Sequence, residues 1–263
     1  MLESLRTSRF GKLSLSILVL VGFSIIVTPQ AFSSSHQPAW NQGFEVSTFG
    51  WITDNTSGLW GWCGDIERVK GDDETLNPSE GSSYALVEFG ECNDYWKENG
   101  FSDGSGPFGP FGVFTPEWPS GGYATELDIY LDPNWEEGTS FTYSVSFSLL
   151  DISPFFDSTR YLMMPVKNEN GELSIFGNNI DEAGWYTFRQ VFTNEDGNLS
   201  VDFELVRDGE VLFTQPLTKT ALTKEKVSSY KPSNVGTGYA WFAAISEGLK
   251  LPIDEHELYK GVM

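Results

Sequence analysis

Two acidic residues near opposite ends of the chain, Glu45 and Asp254, are candidates for binding one cation together. Glu45 follows Gly43-Phe44, and Asp254 follows Pro252-Ile253. If the first and last strands of a β-sandwich lie side by side, the two carboxylates converge although about two hundred residues separate them. Carboxylates that close repel each other unless a proton or a cation lies between them. Because hard cations prefer oxygen ligands, we expect structural Ca²⁺ here. The alternatives are ordinary surface carboxylates or hydrogen-bond caps for nearby backbone amides.

The other metal-ligand residues give weaker signals. Asp72-Asp73-Glu74 is a second oxygen-rich stretch, although three acids in a polar loop are usually just solvated. His36 and His256 lie far apart in the chain, and no Cys-x-x-Cys pair is present. A zinc site or a Cys/His nucleophile is therefore not expected.

The N-terminus has the layout of a secretory signal. Three basic residues within the first twelve precede an uncharged apolar run, Leu13 to Val27. This run is shorter than the ~20 apolar residues that span a bilayer. We expect cleavage between Ala31 and Ser35, with an uncleaved anchor helix as the alternative. Residues 1–35 are thus a predicted signal peptide, and residues 36–263 a predicted single domain that is extracellular or at the cell surface.

Export makes the two cysteines, Cys63 and Cys92, interpretable as a disulfide. Closing a loop of about thirty residues would stabilise the fold by roughly 3 to 4 kcal/mol in the chain-entropy view. Two free thiols are the alternative.

The chain is strongly acidic, with 37 Asp and Glu against 16 Lys and Arg and a net charge of −21. Without residues 1–35, 36 acids face 13 bases and the net charge is about −23. Nucleic acid and anionic membrane surfaces bind to local positive charge, so neither is an expected partner of the mature protein.

Apolar and polar residues alternate with a period of two over much of the chain. From Phe141 to Leu149 every second residue is apolar with Ser or Thr between, and Leu199 to Leu205 repeats the pattern. This alternation is typical of strands with one buried face. Further candidate strands are Tyr84 to Phe89, Tyr123 to Leu131, Arg160 to Val166, Trp185 to Thr193, Glu210 to Phe213 and Tyr239 to Ala243.

Short turn signals separate these strands. The dipeptides Asn170-Gly171, Asp196-Gly197 and Asp208-Gly209 supply the positive φ angles of tight hairpins. Strands at this spacing predict an all-β fold, a two-sheet antiparallel β-sandwich. Leu217 to Val227 is the one stretch that could form a short helix.

Tryptophans in two irregular regions, residues 52–83 and 93–122, are candidate ligand-binding residues: Trp60, Trp62, Trp96 and Trp118. Loops rich in glycine and proline build no core of their own, so their aromatic residues either fold back on the sandwich or face a ligand. A rigid indole can stack on a pyranose ring. Trp51 and Trp185 follow glycine at predicted strand starts, and we expect both in the core.

The order of short motifs along the chain resembles that of secreted bacterial jelly-roll domains. The motifs are Gly43-Phe44-Glu45, Gly50-Trp51, Glu80-Gly81-Ser82-Ser83-Tyr84-Ala85-Leu86, Gly184-Trp185-Tyr186-Thr187-Phe188 and Ile253-Asp254. This succession is similar to that of the carbohydrate-binding modules of xylanases and glucanases, and of concanavalin A-like bacterial surface proteins.

The resemblance implies a jelly-roll, concanavalin A-like or carbohydrate-binding-module-like sandwich that binds glycan through aromatic residues. In these families the glutamate after the first phenylalanine and the aspartate of the last strand contribute to a structural calcium site, which corresponds to Glu45 and Asp254. No aromatic residue of this chain is matched one to one with a sugar-binding aromatic residue of these families. Gly238-Tyr239-Ala240-Trp241-Phe242 is more similar to the surface-protein branch.

Glu126-Leu127-Asp128-Ile129-Tyr130 resembles part of the catalytic strand of laminarinase-type glycosidases, which share the jelly-roll fold. Those enzymes place nucleophile and acid/base on one strand as Glu-x-Asp-x-Glu, or with one residue more. Alternation puts these residues on one face, and a retaining mechanism needs carboxyl groups about 5 to 5.5 Å apart. Here Tyr130 and Leu131 occupy the two positions open to the second glutamate. A phenol with a pKa of about 10 does not readily protonate a leaving group, so we expect no catalysis.

These observations predict a secreted, calcium-stabilised β-sandwich that binds polysaccharide without cleaving it. One alternative is a structural or adhesive surface protein that does not bind glycan. Another is a laminarinase-type hydrolase that uses Glu126.

Overall fold

The computed structural model describes residues 37–51, 64–71, 76–88, 90, 108–110, 121–149, 163–195, 198–217 and 235–261. All of these residues belong to one compact unit, residues 31–263. The predicted signal peptide lies outside the described residues. Among the described segments, none is a helix of the length and hydropathy needed to cross a bilayer.

Two antiparallel sheets make up the described part of the chain, which confirms the predicted all-β sandwich. The larger sheet has eight strands in the order β12-β11-β10-β5-β14-β3-β2, with β1 beside β14, and the smaller has six in the order β4-β13-β6-β7-β8-β9. The strands are β1 Trp40–Gln42, β2 Asp65–Lys70, β3 Ser83–Glu88, β4 Phe108–Pro110, β5 Tyr123–Leu131, β6 Ser140–Leu149, β7 Met163–Glu169, β8 Glu172–Ile175, β9 Asn178–Asn179, β10 Gly184–Glu195, β11 Asn198–Arg207, β12 Glu210–Leu217, β13 Val235–Ala243 and β14 Lys250–Lys260.

The core lies between the two sheets and follows the predicted alternation. Leu127, Ile129 and Leu131 of β5 are fully buried, as are Phe141 and Tyr143 of β6 to within 1 % of their surface. These side chains belong to one apolar cluster that both sheets contribute to. Because successive residues of a strand point to opposite faces, the residues between Leu127 and Leu131 point away from this core.

The two ends of the described chain meet, as expected. β1 pairs antiparallel with β14, so that Trp40 lies opposite Leu258 and Gln42 opposite His256. A bulge interrupts β14 between Asp254 and Glu257 where it pairs with β5. The bulge includes Glu255, a non-glycine residue with a φ of 40°. It lets Asp254 stay on the outward side of the strand while His256 turns into the core, where it is fully buried.

Two of the predicted hairpin turns are confirmed. Asn170 and Gly171 both have positive φ in the turn between β7 and β8, and Asp208 and Gly209 do the same between β11 and β12. The third, at residues 196–197, and most of the predicted helix, residues 218–227, lie outside the described residues.

Candidate functional site

The face of the larger sheet that points away from the core, here called the outer face, carries most of the polar side chains of its central strands. On β5 these are Glu126, Asp128 and Tyr130, the alternation predicted from the sequence. Pairing places Asp128 beside Thr187 of β10 and beside Asp254 of β14. The Thr187 hydroxyl donates to Asp128 Oδ1 at 2.6 Å.

Burial raises the pKa of the Asp128 carboxyl. Hydrogen bonds from Thr187 and Ser79 lower this pKa, and the neighbouring carboxylates Glu257 and Glu80 raise it again. Asp128 therefore lies in a negative local field, and only hydrogen bonds offset the loss of water around it.

A groove of about 400 Å³ opens on the outer face beside Asp128. It is lined by Pro78, Ser79, Asp128, Gly184, Trp185, Thr187, Arg207 and Asp208. The floor comes from β5 and β10, one wall from the loop 76–82, and the other wall from the turn between β11 and β12. The groove thus combines one indole with hydroxyl, carboxylate and guanidinium groups.

Trp185 is part of this groove, and the prediction that it lies in the core is wrong. Nearby Tyr186 and Phe188 are buried to within 2 % of their surface, while Trp185 stays partly exposed on the outer face. Trp185 Nε1 donates to the backbone oxygen of Asn77 at 2.8 Å. Trp185 and Tyr186 are adjacent and both aromatic, so the sequence does not show which of the two points into the core. Trp51, by contrast, belongs to the apolar core cluster, as predicted.

Two tyrosines hold the Trp185 ring in place. Tyr130 lies 5.7 Å away and Tyr84 lies 6.1 Å away between ring centroids, both in edge-to-face geometry. Such pairs contribute about 0.5 to 1.5 kcal/mol beyond area burial. Tyr130, which stands where a laminarinase-type enzyme has its second glutamate, therefore supports an indole here.

Arg207 forms the opposite wall and is already paired. Its Nη1 lies 2.9 Å from Glu182 Oε2 and donates to the Tyr186 hydroxyl at 3.1 Å. Its Nε lies 3.7 Å from Asp208 Oδ2, and its guanidinium carbon lies 5.2 Å from the centre of the Tyr186 ring. Two carboxylates thus lie beside Arg207, the one cation among the described residues that line the groove.

Glu126, the candidate nucleophile of the weaker hydrolase alternative, forms an ion-pair network outside the groove. Its Oε1 lies 2.6 Å from Arg189 Nε, and Arg189 Nη1 lies 3.2 Å from Glu204 Oε2. Burial raises the pKa of Glu126, while the charge and hydrogen bond of Arg189 lower it. Only 14 % of the Glu126 side chain is exposed, so its carboxylate pairs with Arg189 and is little accessible to a ligand.

Glu45 and Asp254 both accept hydrogen bonds from one short segment, residues 79–83. Glu45 Oε1 accepts from the backbone N–H of Ser82 at 2.7 Å and of Ser83 at 3.0 Å, and Glu45 Oε2 accepts from the Ser82 hydroxyl at 2.7 Å. These hydrogen bonds, led by the Ser82 amide, hold the pKa of Glu45 below its usual value.

Asp254 is fully buried. Its Oδ2 accepts from the Ser79 amide and hydroxyl at 3.1 and 3.2 Å and from the Glu80 amide at 3.3 Å. Burial raises the pKa of Asp254 to about 6 against these hydrogen bonds. The alternative stated from the sequence, that both carboxylates bind backbone amides, describes these contacts.

A cation already lies beside Glu45: the guanidinium of Arg68. Arg68 Nε donates to the Phe44 oxygen at 2.7 Å, and its Nη2 donates to the Glu45 backbone oxygen at 2.5 Å and to the Ser83 hydroxyl at 2.6 Å. No group of three or more His, Cys, Asp or Glu side chains in the described ranges is arranged to bind a metal. Ca²⁺ takes about six to eight oxygen ligands. The contacts of Glu45 and Asp254 therefore do not fit an ion held between them, and calcium stays a prediction.

Several predicted site residues lie outside the described part of the chain. They are the loop tryptophans Trp60, Trp62, Trp96 and Trp118, the cysteines Cys63 and Cys92, and the acidic run Asp72-Asp73-Glu74. Their predicted roles stay predictions.

Comparison with known proteins gives distant likenesses in structure. No protein-family model matches the sequence, and no curated protein matches it significantly. A carbohydrate esterase from Shiga toxin-encoding bacteriophage phi24B is 14 % identical with a TM-score of 0.44, over 86 % of this chain and 99 % of that chain. The CBM2 module of the evolved Dit of Lactobacillus casei BL23 phage J-1 is 11 % identical with a TM-score of 0.38, over 84 % and 94 %.

A seed lectin of Lotus tetragonolobus is 9 % identical with a TM-score of 0.31, over 83 % of this chain and 96 % of that chain. Likenesses this distant assign no activity or ligand to this chain.

Proposed function

We propose that this protein binds glycan without cleaving it, through the outer-face groove beside Trp185. The observation that carries the proposal is a partly exposed indole, held by two tyrosines, next to the hydroxyl and carboxylate groups that line the same groove. The apolar C–H face of a pyranose packs against an indole, and the hydroxyl groups at its rim need donors and acceptors close by.

The groove offers acceptors for the hydroxyl groups of a sugar. The Thr187 proton is donated to Asp128 and the Ser79 proton to a carboxylate, so both hydroxyls and the Asp128 carboxylate can accept from a ligand. Thr187 donates to Asp128 Oδ1 and Ser79 also hydrogen-bonds Asp128, which leaves lone pairs of the carboxylate for a ligand. Because strand contacts already order these side chains, binding costs little of their conformational entropy.

Two features support binding without hydrolysis. A glycosidase of the usual kind needs two carboxyl groups on either side of the scissile bond. Glu126 is paired with Arg189 and does not line the groove. Asp254, which lies opposite Asp128 on the neighbouring strand, is fully buried and hydrogen-bonded to Ser79 and Glu80. Neither Glu126 nor Asp254 therefore gives Asp128 an accessible carboxylate partner in the groove. The other carboxylate among the described lining residues, Asp208, lies 3.7 Å from Arg207 Nε, on the Arg207 side of the groove.

We also propose that the protein is secreted, because its N-terminus combines a basic flank with a short apolar run. Expression in a host that carries a secretory pathway, followed by intact-mass measurement of the product in the medium, tests this. We expect a mass that corresponds to cleavage between Ala31 and Ser35, whereas a full-length, cell-associated product would contradict the proposal.

A glycan array tests the function. Retention on at least one glycan, weakened about tenfold or more by Trp185→Ala, is expected because aromatic residues in such sites contribute disproportionately. Trp135→Ala is the matched control, since Trp135 is also partly buried but packs edge-to-face against Phe141 at 6.3 Å, away from the groove. Trp60→Ala, Trp96→Ala and Trp118→Ala test in parallel the loop sites predicted from the sequence.

Two results would contradict the proposal. Absence of retention on every glycan, with self-association instead, would favour the structural or adhesive alternative. Release of reducing sugar that Glu126→Gln abolishes would favour the hydrolase alternative.

A further inference from the structure

We infer that the groove selects neutral saccharides and discriminates against glycans that carry carboxylate or sulfate groups. This inference rests on the proposed function, because it specifies the class of ligand for the same groove. The observation behind it is the arrangement of charge around the eight described residues that line the groove.

Arg207, the only cation among the described lining residues, is already ion-paired. Arg207 is held by Glu182 at 2.9 Å, lies 3.7 Å from Asp208, and donates to the Tyr186 hydroxyl at 3.1 Å. An acidic glycan that approached the guanidinium would lie close to the carboxylate of Glu182 and would meet Asp208 on the same wall. Discrimination of this kind, by like charges placed against the wrong partner, is a general route to specificity.

The floor of the groove is also negative. Asp128 lies between Thr187 and the buried Asp254, and Glu80 and Glu257 are close enough to act on its charge. Asp128 can accept hydrogen bonds from sugar hydroxyls, but a ligand carboxylate has no proton to donate to it at neutral pH. Two like charges at contact distance in a partly desolvated groove repel strongly enough to weaken binding about tenfold or more.

Matched ligands test the inference. The neutral saccharide that the array identifies is compared with the same saccharide oxidised at C6 to a uronate, at low and at high ionic strength. We expect the uronate to bind at least about tenfold more weakly at low salt, and the difference to shrink as salt screens the repulsion.

One substitution makes the test specific to Arg207. Glu182→Gln removes the main ion-pair partner of Arg207, and 73 % of the Glu182 side chain is exposed, so the change leaves the core untouched. The ratio of uronate affinity to neutral affinity should rise several-fold. Glu137→Gln, which removes the same charge from an exposed turn elsewhere, should leave the ratio unchanged.

The outcomes separate the two proposals. If uronate binds as tightly as the neutral saccharide or tighter, and Trp185→Ala weakens it, then the neutral selectivity is wrong and glycan binding stands. The selectivity is equally wrong if Glu182→Gln leaves the affinity ratio where it was. If neither ligand class binds, the proposed function fails and the selectivity fails with it.

Discussion

The carboxylate of Glu45 occupies the space that a side chain at Gly81 would need. A Cβ on Gly81 would overlap Glu45 Oε1, and Gly81 has a φ of +68°. This close approach lets Glu45 reach the amides of Ser82 and Ser83, and so attaches the segment after β1 to the start of β3. The same segment, residues 79–83, supplies Ser79 to the groove.

Gly81→Ala should therefore cost about 1 kcal/mol for alanine at a positive φ, and in addition the hydrogen bonds to Ser82 and Ser83 that the displaced Glu45 carboxylate would lose. Gly171→Ala is the matched control, because Gly171 has a φ of +79° and no atom lies within 4 Å of the position that a Cβ there would take. Its cost should be about 1 kcal/mol. Urea unfolding measures both, and equal losses would mean that the Glu45 contact contributes nothing.

Arg68→Met should lower stability by about 1 kcal/mol, since it removes the three donors that bind Phe44, Glu45 and Ser83 at an exposed position. Lys70→Met, two residues along the same strand and also exposed, is the control and should have little effect. A thermal melt compares the two. Unchanged stability in Arg68→Met would show that the guanidinium does not hold this segment.

Chelation tests the calcium prediction. Because Glu45 and Asp254 already accept hydrogen bonds from residues 79–83 and Arg68 lies beside Glu45, we expect no calcium at this pair and no change of Tm in EDTA on its account. A ligand that binds only the native state raises stability by mass action. A Tm that falls in EDTA and recovers with Ca²⁺ would therefore restore a calcium site, whether at this pair or in the acidic run 72–74.

Glu255→Gln should raise the Tm at pH 8 and lose this advantage by pH 5. Burial, with the charges of Asp254 and Glu257, raises the pKa of Glu255 to about 7 from its ordinary 4.5. A carboxyl whose pKa is raised on folding contributes stability below pH 4.5 that is lost as the pH rises through about 7. Glu247→Gln, at an exposed turn, is the control. An equal gain at both pH values would contradict the shift.

His256→Phe should flatten the acid side of the stability profile. Burial between the Trp40 and Trp51 rings, at 5.0 and 5.2 Å, lowers the pKa of His256 to about 3 from 6.5. The unfolded chain thus takes up a proton that the native state does not bind, and His256 costs stability as the pH falls from 6.5 towards 3. Urea midpoints from pH 7 to 4 measure the slope. An unchanged slope would place the acid sensitivity elsewhere.

Much of the architecture could be predicted from local pattern. The β5 prediction, Tyr123 to Leu131, matches the observed strand, and the Asn170-Gly171 and Asp208-Gly209 turns lie where expected. Alternation also placed Glu126, Asp128 and Tyr130 on one face. These features depend on neighbours within a few residues, which the sequence displays directly.

The candidate site could be predicted only in part. Glu45 and Asp254 were predicted to share a cation. In the structure both accept hydrogen bonds from residues 79–83, and no periodicity in the sequence marks this irregular segment or its position over the sheet. The prediction of Trp185 in the core failed because Trp185 and Tyr186 are both aromatic and either could face inward. The groove itself joins residues from β5, β10, the loop 76–82 and the turn after β11.

The amino-acid sequence by itself determined many of the strands, their inward faces and several turns, because period-two burial and positive-φ dipeptides are local constraints. Only the tertiary structure decided that Glu45 and Asp254 bind backbone amides and that Glu126 pairs with an arginine. It also decided that the Trp185 indole stays partly exposed. Those outcomes depend on strand register and on how one irregular loop crosses the sheet, and both arise from contacts between residues that are distant in the chain.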